Sequence, residues 1–283
     1  MGESSRFIDA PGTLNRHADF ASRFVEPRHV DVWLPPGCAA EEGRRFPVIY
    51  MHDGQNLFDP REAYTGVDWG MDEAIVHLAG GGKIAEVIVV GIWNTPRRKQ
   101  EYMPQKPAEG PEGHRVRAQL AEEYGGEPLS DGYLRFVVEE VKPFVDATYR
   151  TLPERESTFI MGSSMGGLIS LYALCEYPEV FAGAGCLSTH WPAGEGIMVE
   201  YLRRALPRPG KHHIYFDHGT ETLDATYEAY QRRVDKLMRA AGYREGVDWI
   251  TRKFPGAEHT ERAWQERVHI PLQFLLTQQR IRE

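Results

Sequence analysis

A mainly parallel α/β sheet, doubly wound with helices on both faces, is the fold class that this 283-residue chain predicts. Three observations predict it. Short apolar runs recur that are too continuous for a strand with one wet face. Stretches of helical length and period separate them, and alternating strands and helices specify a parallel sheet. One of the apolar runs passes straight into a helix through a glycine-bracketed turn. Composition agrees: 41% hydrophobic and 26% charged residues are ordinary for a globular chain, and no tract is of low complexity. With no repeat and no break in composition, residues 1–283 read as one domain.

Taken in order, 19–34 (DFASRFVEPRHVDVWL) suggests two strands around a turn at Glu26-Pro27. FPVIYMH (46–52) is a strand buried on both faces, and WGMDEAIVHLAGGG after it is a helix with a glycine stop. AEVIVVGIW (85–93) is the next buried strand. Residues 96–130 are polar, with scattered Gly and Pro, and read as an excursion over the C-terminal edge of the sheet, where such sheets bind ligands. Asp131 is placed to cap a long helix through Val145, with Pro143 bending its last turn. STFIMG (157–162) is a third buried strand, leading into a helix over Gly166–Glu176. Strands at 181–188 and 212–219, a helix over Thr226–Ala241, a strand at 247–254 and an amphipathic helix over Glu261–Leu276 complete the pattern.

Gly162-Ser163-Ser164-Met165-Gly166 matches G-x-S-x-G, the nucleophile elbow of the α/β-hydrolase fold. So tight a strand-to-helix turn forces a strained backbone on the serine and leaves no room for Cβ atoms at the flanking positions. The pattern by itself is weak; the buried strand before it and the convincing helix after it make it strong. Ser164 is thus the expected nucleophile. A serine hydroxyl needs a base within hydrogen-bond reach, and this architecture orders the chain Ser, then Asp or Glu, then His. His259 fits, lying between the last strand and the last helix. The orienting acid should follow the strand HIYFDHG, which leaves Asp224 and Glu221; Asp224, nearer the following helix, is preferred and Glu221 is the alternative. The oxyanion needs two amide donors. Met165 supplies one, and Gly54 or Gln55, after FPVIYMH, is the candidate for the other. Tyr102, His190 and Trp191 are candidate walls of the substrate pocket.

At these residues the chain resembles the esterase D or "Putative esterase" family of α/β-hydrolases. The family includes S-formylglutathione hydrolases, feruloyl and acetylxylan esterases, enterochelin esterases and mycolyl transferases. The anchors are YMHDGQNLFD (50–59), RRKQEYMP (97–104), GSSMGGLISLYA (162–173), YFDHGTETLD (215–224) and FPGAEHTERAW (254–264). The resemblance implies Ser164 and His259 as nucleophile and base, and Met165 and Gly54 as oxyanion donors. The acid transfers less cleanly, because the position of many relatives falls here on Thr222. The expected activity is that of a serine carboxylesterase working through an acyl-enzyme; an acyltransferase or a non-catalytic binding protein are the alternatives.

The net charge of −8 is spread along the chain, which argues against nucleic acid or an anionic membrane as partner. No run approaches the ~18 apolar residues of a membrane span. A small-molecule ester is the expected partner, and homo-oligomerisation is left open. No cofactor is expected. No HExxH, CxxC pair or EF-hand spacing points to a metal, and the His212, His213, Asp217, His218 group reads as strand alternation. Cys38, Cys175 and Cys186 read as reduced thiols, so the cytoplasm is the expected location.

Overall fold

The computed structural model describes residues 4–6 and 11–280. In chain order its strands are β1 (Ser4–Arg6), β2 (Thr13–Phe20), β3 (Arg28–Leu34), β4 (Val48–His52), β5 (Ile88–Ile92), β6 (Thr158–Ser163), β7 (Gly183–Leu187), β8 (His213–His218) and β9 (Trp249–Lys253). Among the described residues they form one sheet of nine strands, ordered β1-β2-β3-β5-β4-β6-β7-β8-β9. From β5 to β9 all neighbours are parallel, while β1, β2 and β3 join as antiparallel neighbours at one edge. Strands β4, β5, β6 and β7 are buried along their whole length, as their apolar runs require.

Alternation along β4 divides the core in two. Val48 and Tyr50 face one layer, with Leu168 and Ile169 of helix α3 and Val234 and Met238 of helix α5. Ile49 and Met51 face the other, with Ile75 and Leu78 of helix α1 and Leu272 and Leu275 of helix α7. These helices are α1 (Met71–Gly80), α2 (Arg98–Tyr102), α3 (Met165–Glu176), α4 (Ile197–Ala205), α5 (Tyr227–Ala240), α6 (Glu261–Arg267) and α7 (His269–Arg280). Each fully buried Leu, Ile or Val contributes about 1.5–3 kcal/mol, so both faces of the sheet are held by helices. Strand β4 pairs with β5 on one side and β6 on the other. The order of the chain reverses there, and the carboxyl ends of β4 and β6 open onto the crevice that such a reversal creates.

One expectation gains detail and two are corrected. The excursion at 96–130 is largely helical, with segments Arg98–Tyr102, Gln105–Glu109, Pro111–His114 and Arg117–Tyr124, and its Tyr102, Met103, Val116 and Leu120 join the core. Its polar composition hid short helices, each with only one or two buried positions. Asp131 is not a cap: Leu129 precedes the helix that starts at Ser130, and the Asp131 carboxylate accepts from the Tyr172 hydroxyl at 2.6 Å. The closing helix is two helices that meet at Val268. Pro271 lacks the amide that would continue the ladder, and in an unbroken helix its ring would clash with the carbonyl four residues back, at Arg267.

Candidate active site

The elbow occupies the carboxyl end of β6. Ser164 stands at φ 58°, ψ −122° between β6 and α3, a conformation that costs a non-glycine residue about 1–3 kcal/mol. Its amide donates to the Leu187 carbonyl at 2.9 Å, and its carbonyl accepts from the amides of Gly167 and His190, each at 3.1 Å. The strained turn is thus pinned to β7 and to the loop beyond it. A Cβ at Gly162 would stand 2.9 Å from the Gly166 backbone. Gly162 is therefore a packing requirement of the turn, whereas the expectation of no room at both flanks does not hold at Gly166, where a Cβ would come no closer than 3.4 Å to His52 Cβ, an ordinary contact.

His259 is carried by the loop between β9 and α6. Its amide donates to Thr222 Oγ1 at 2.9 Å, and the amides of Thr220 and Glu221 both donate to the Ala257 carbonyl, at 3.0 and 3.1 Å. These bonds lace the 219–224 loop to the 254–260 loop. Asp224 Oδ1 lies 2.6 Å from His259 Nδ1. The carboxylate can only accept, so Nδ1 carries the proton and Nε2 is left as the acceptor. Asp224 Oδ2 accepts from the Ser188 hydroxyl at 2.6 Å and from the Gly219 amide at 2.5 Å. Burial works to raise the pKa of Asp224, but the bonds from His259, Ser188 and Gly219 prevail and hold it below the usual carboxylate range. Glu221 is exposed and accepts from Thr220 Oγ1 at 3.0 Å; the structure does not bring it to His259.

The loop after β4 supplies the facing wall. Asp53 adopts φ 57°, and its carboxylate takes Arg98 Nε and Nη2, both at 2.7 Å, and Asn94 Nδ2 at 2.6 Å. Burial opposes ionisation of Asp53, yet the Arg98 guanidinium keeps its pKa lowered. Gly54 follows at a point of close approach, where a Cβ would lie 2.4 Å from the carbonyl carbon of Gly91. His52, beneath the loop, bonds the Tyr133 hydroxyl through Nδ1 at 2.7 Å, and burial pushes its pKa down to about 3, so it is neutral. Ser164, His259, Asp53, Gln55 and Trp264 all line one cavity of about 550 Å³, with Tyr64, Asn94, Arg98 and Lys99 among its other walls. That volume suits a small organic molecule.

None of the three expected pocket walls, Tyr102, His190 and Trp191, is among the residues that line this cavity. Tyr102 is fully buried and its hydroxyl accepts from the Asp53 amide at 3.1 Å, so it supports the wall from behind. Trp191 is also buried, stacks at a tilt against Phe216, and donates through Nε1 to Gln231 at 3.0 Å. It is a packing residue. His190 stays beside the elbow through its amide, and its Nδ1 lies 2.6 Å from the Tyr227 hydroxyl. Burial first, then the charges of His259, Arg98 and Lys99, lower its pKa to about 4. The histidines at 212, 213 and 218 donate to the carbonyls of Pro178, Val247 and Gly219, while Asp217 pairs with Arg267, so these four residues diverge.

Sequence reasoning did not single out Tyr227, Ser188 or Arg267, which the fold gathers around His259 and Asp224. The Tyr227 ring stands edge-on to His259 with centroids 5.7 Å apart. Nothing in the pattern marked it, since a tyrosine at the start of a helix reads as core. Ser188 ends an apolar run and carries no motif.

A family model described as "Putative esterase" matches residues 21–272. The protein YbbA of Bacillus subtilis (strain 168) is 26% identical over 216 residues, covering 74% of this chain and 72% of that protein. The ferri-bacillibactin esterase BesA of the same strain is 26% identical over 199 residues, 67% of this chain and 63% of that protein. Among solved structures, an IroE-like serine hydrolase from Shewanella oneidensis superposes with a TM-score of 0.67 at 20% identity, covering 92% of this chain and 77% of that one, a likeness of fold. With the whole sheet from β3 onward and the elbow inside the matched region, the chain belongs to the "Putative esterase" family of the α/β-hydrolase fold, and it is an ester hydrolase.

Proposed function

We propose that the chain is one catalytic domain that cleaves a small, polar carboxylic ester through an acyl-enzyme on Ser164. The observation that carries this reading is the 2.6 Å bond from His259 Nδ1 to the buried Asp224 in the cavity that also holds the strained Ser164. His259 takes the Ser164 proton through Nε2 as the hydroxyl oxygen attacks the ester carbonyl. It then returns that proton to the leaving alcohol, and later deprotonates the water that attacks the acyl-enzyme. Asp224 orients the ring and stabilises the imidazolium. The backbone amides of Met165 and of Gly54 or Gln55 take the developing oxyanion.

The cavity walls favour a polar substrate. Asn, Gln, Thr, Arg and Lys side chains line it beside Tyr64 and Trp264, with no Leu, Ile, Val or Met among the lining residues. A long acyl chain would find no aliphatic channel there. The three cysteines are unpaired, which supports a reducing, cytoplasmic setting. Among the described residues no helix is long and apolar enough to cross a membrane. A fluorophosphonate tests the reading. It should label Ser164 alone and abolish hydrolysis across a panel of chromogenic esters, with short polar acyl groups cleaved fastest. Labelling at Ser163, or full activity in Ser164→Ala, would overturn it.

A further inference from the structure

Behind Asp224 lies a buried polar cluster that the steps above leave unused. Ser188 follows β7, is fully buried, and stands at φ 39°, a strained position where glycine would be easier. Its oxygen is met by two N–H groups, Arg267 Nη2 at 2.8 Å and Trp264 Nε1 at 3.1 Å. It also lies 2.6 Å from Asp224 Oδ2. Neither N–H can accept and the carboxylate cannot donate, so the single hydroxyl proton must point to Asp224. Arg267 in turn binds Asp217 through Nε at 3.1 Å and Nη2 at 3.0 Å. Asp217 also accepts from the Ser188 amide at 3.0 Å and the Tyr215 hydroxyl at 2.9 Å.

We propose that Ser188 is a positioning residue for the reaction: it relays the positive field of Arg267 through one hydroxyl to Asp224, holding that carboxylate ionised and turned so that Oδ1 faces His259. The proposal rests on the assignment of His259 and Asp224 as base and acid. Direction is the substance of it. Donors point one way along the chain, from Arg267 to Ser188 to Asp224 Oδ2, and the opposite oxygen receives His259 Nδ1–H. The carboxylate therefore accepts at both oxygens and has no freedom to rotate. Trp264 closes the arrangement, since its ring edges against His259 with centroids 5.0 Å apart while its Nε1 holds Ser188. The charged groups facing the relay are Arg267, Asp217, Asp224 and His259.

Two variants test it. Ser188→Ala removes the hydroxyl, and Ser188→Gly removes it while relieving the strain at φ 39°, so a folding defect in the first is controlled by the second. Both should lose kcat by about 10- to 100-fold, the factor equivalent to one hydrogen bond to a charged group, with KM nearly unchanged. The acid limb of the kcat/KM profile should move to higher pH. With one donor gone, the charge on Asp224 is less shared, and the imidazolium of His259 gains stability. In the resting protein without substrate, the low-field proton resonance of His259 Nδ1 should shift or broaden. That resonance needs no turnover, so it reports on the relay even if Ser164 were not the nucleophile. Unchanged kcat, pH profile and resonance in both variants would overturn the proposal, as would a lower Tm with full kcat per folded molecule.

Discussion

Two aspartates stand at the end of β8, Asp217 on the strand and Asp224 in the loop after it, each 1% exposed. Their fates are opposite. Burial pushes the pKa of Asp217 up, and this prevails over the favourable field and hydrogen bonds of Arg267. Asp224 meets the same penalty, yet bonds from His259, Ser188 and the Gly219 amide bring its pKa below the ordinary value. What separates the two is the partner. Asp217 is tied to a guanidinium whose charge never changes, which makes a fixed internal brace. Asp224 is tied to an imidazole, a side chain that can both accept and release a proton, which makes its bond suited to chemistry. Position at the sheet edge brings a carboxylate near the crevice; a titratable neighbour is what suits it to the proposed proton transfer.

The contrast can be broken most directly by amidation. Asp224→Asn should keep the fold but present His259 Nδ1 with an amide that favours the wrong tautomer. In serine proteases the equivalent change lowers kcat by about 10⁴, and steady-state kinetics on the folded variant should show a loss approaching that size. Asp217→Asn should do the reverse. It leaves the Arg267 guanidinium buried without its anion, a change that typically costs about 3–5 kcal/mol of stability. Urea unfolding should register that loss with kcat reduced far less than in Asp224→Asn. Equal kcat losses in the two variants would erase the distinction.

Acid should separate them in slope. A carboxylate whose folded pKa is depressed adds stability that is present above its unfolded pKa of about 4 and is lost as pH falls through the folded value. Asp224 is such a group. Asp217, raised, binds its proton earlier in the folded state, so its contribution grows as pH falls. Melting temperatures from about pH 5 to about pH 2 should therefore fall less steeply in Asp224→Asn than in the wild type, and more steeply in Asp217→Asn. Matching slopes in all three proteins would contradict the opposed shifts. The smallest effect is expected at Glu221, the other acid candidate. Glu221→Gln should change stability by no more than about 0.5 kcal/mol, as for most surface substitutions, and leave kcat close to the wild-type value. A large kcat loss there would move the acid from Asp224 to Glu221.

The parallel sheet was legible because a strand buried on both faces has to be apolar at nearly every position, and β4, β5 and β6 largely are. Ser164 was legible for a related reason: the turn around it admits only glycine at Gly162, so the backbone geometry is written in residue type. The helices between Arg98 and Tyr124 were not legible, since each is short and hides only a few apolar residues among charged ones. Tyr102 and Trp191 misled in the other direction. An aromatic near a sheet edge can line a pocket or support it, and only the packing around it decides which.

Fold class and the place of the elbow could be read along the chain, as could the segments that carry the proposed serine, acid and histidine. Each is a local property, carried by period, turn chemistry or order. Which carboxylate meets His259 could not be read that way, because the choice between Asp224 and Glu221 depends on how the 219–224 loop is laced to the 254–260 loop. The joining of Ser188 to Arg267 and Asp224 is of the same kind, since these residues come from separate segments that only the finished sheet brings within hydrogen-bond reach. Hydrogen bonds between distant segments have no periodicity and no spacing to read, so they become visible only when the chain has folded.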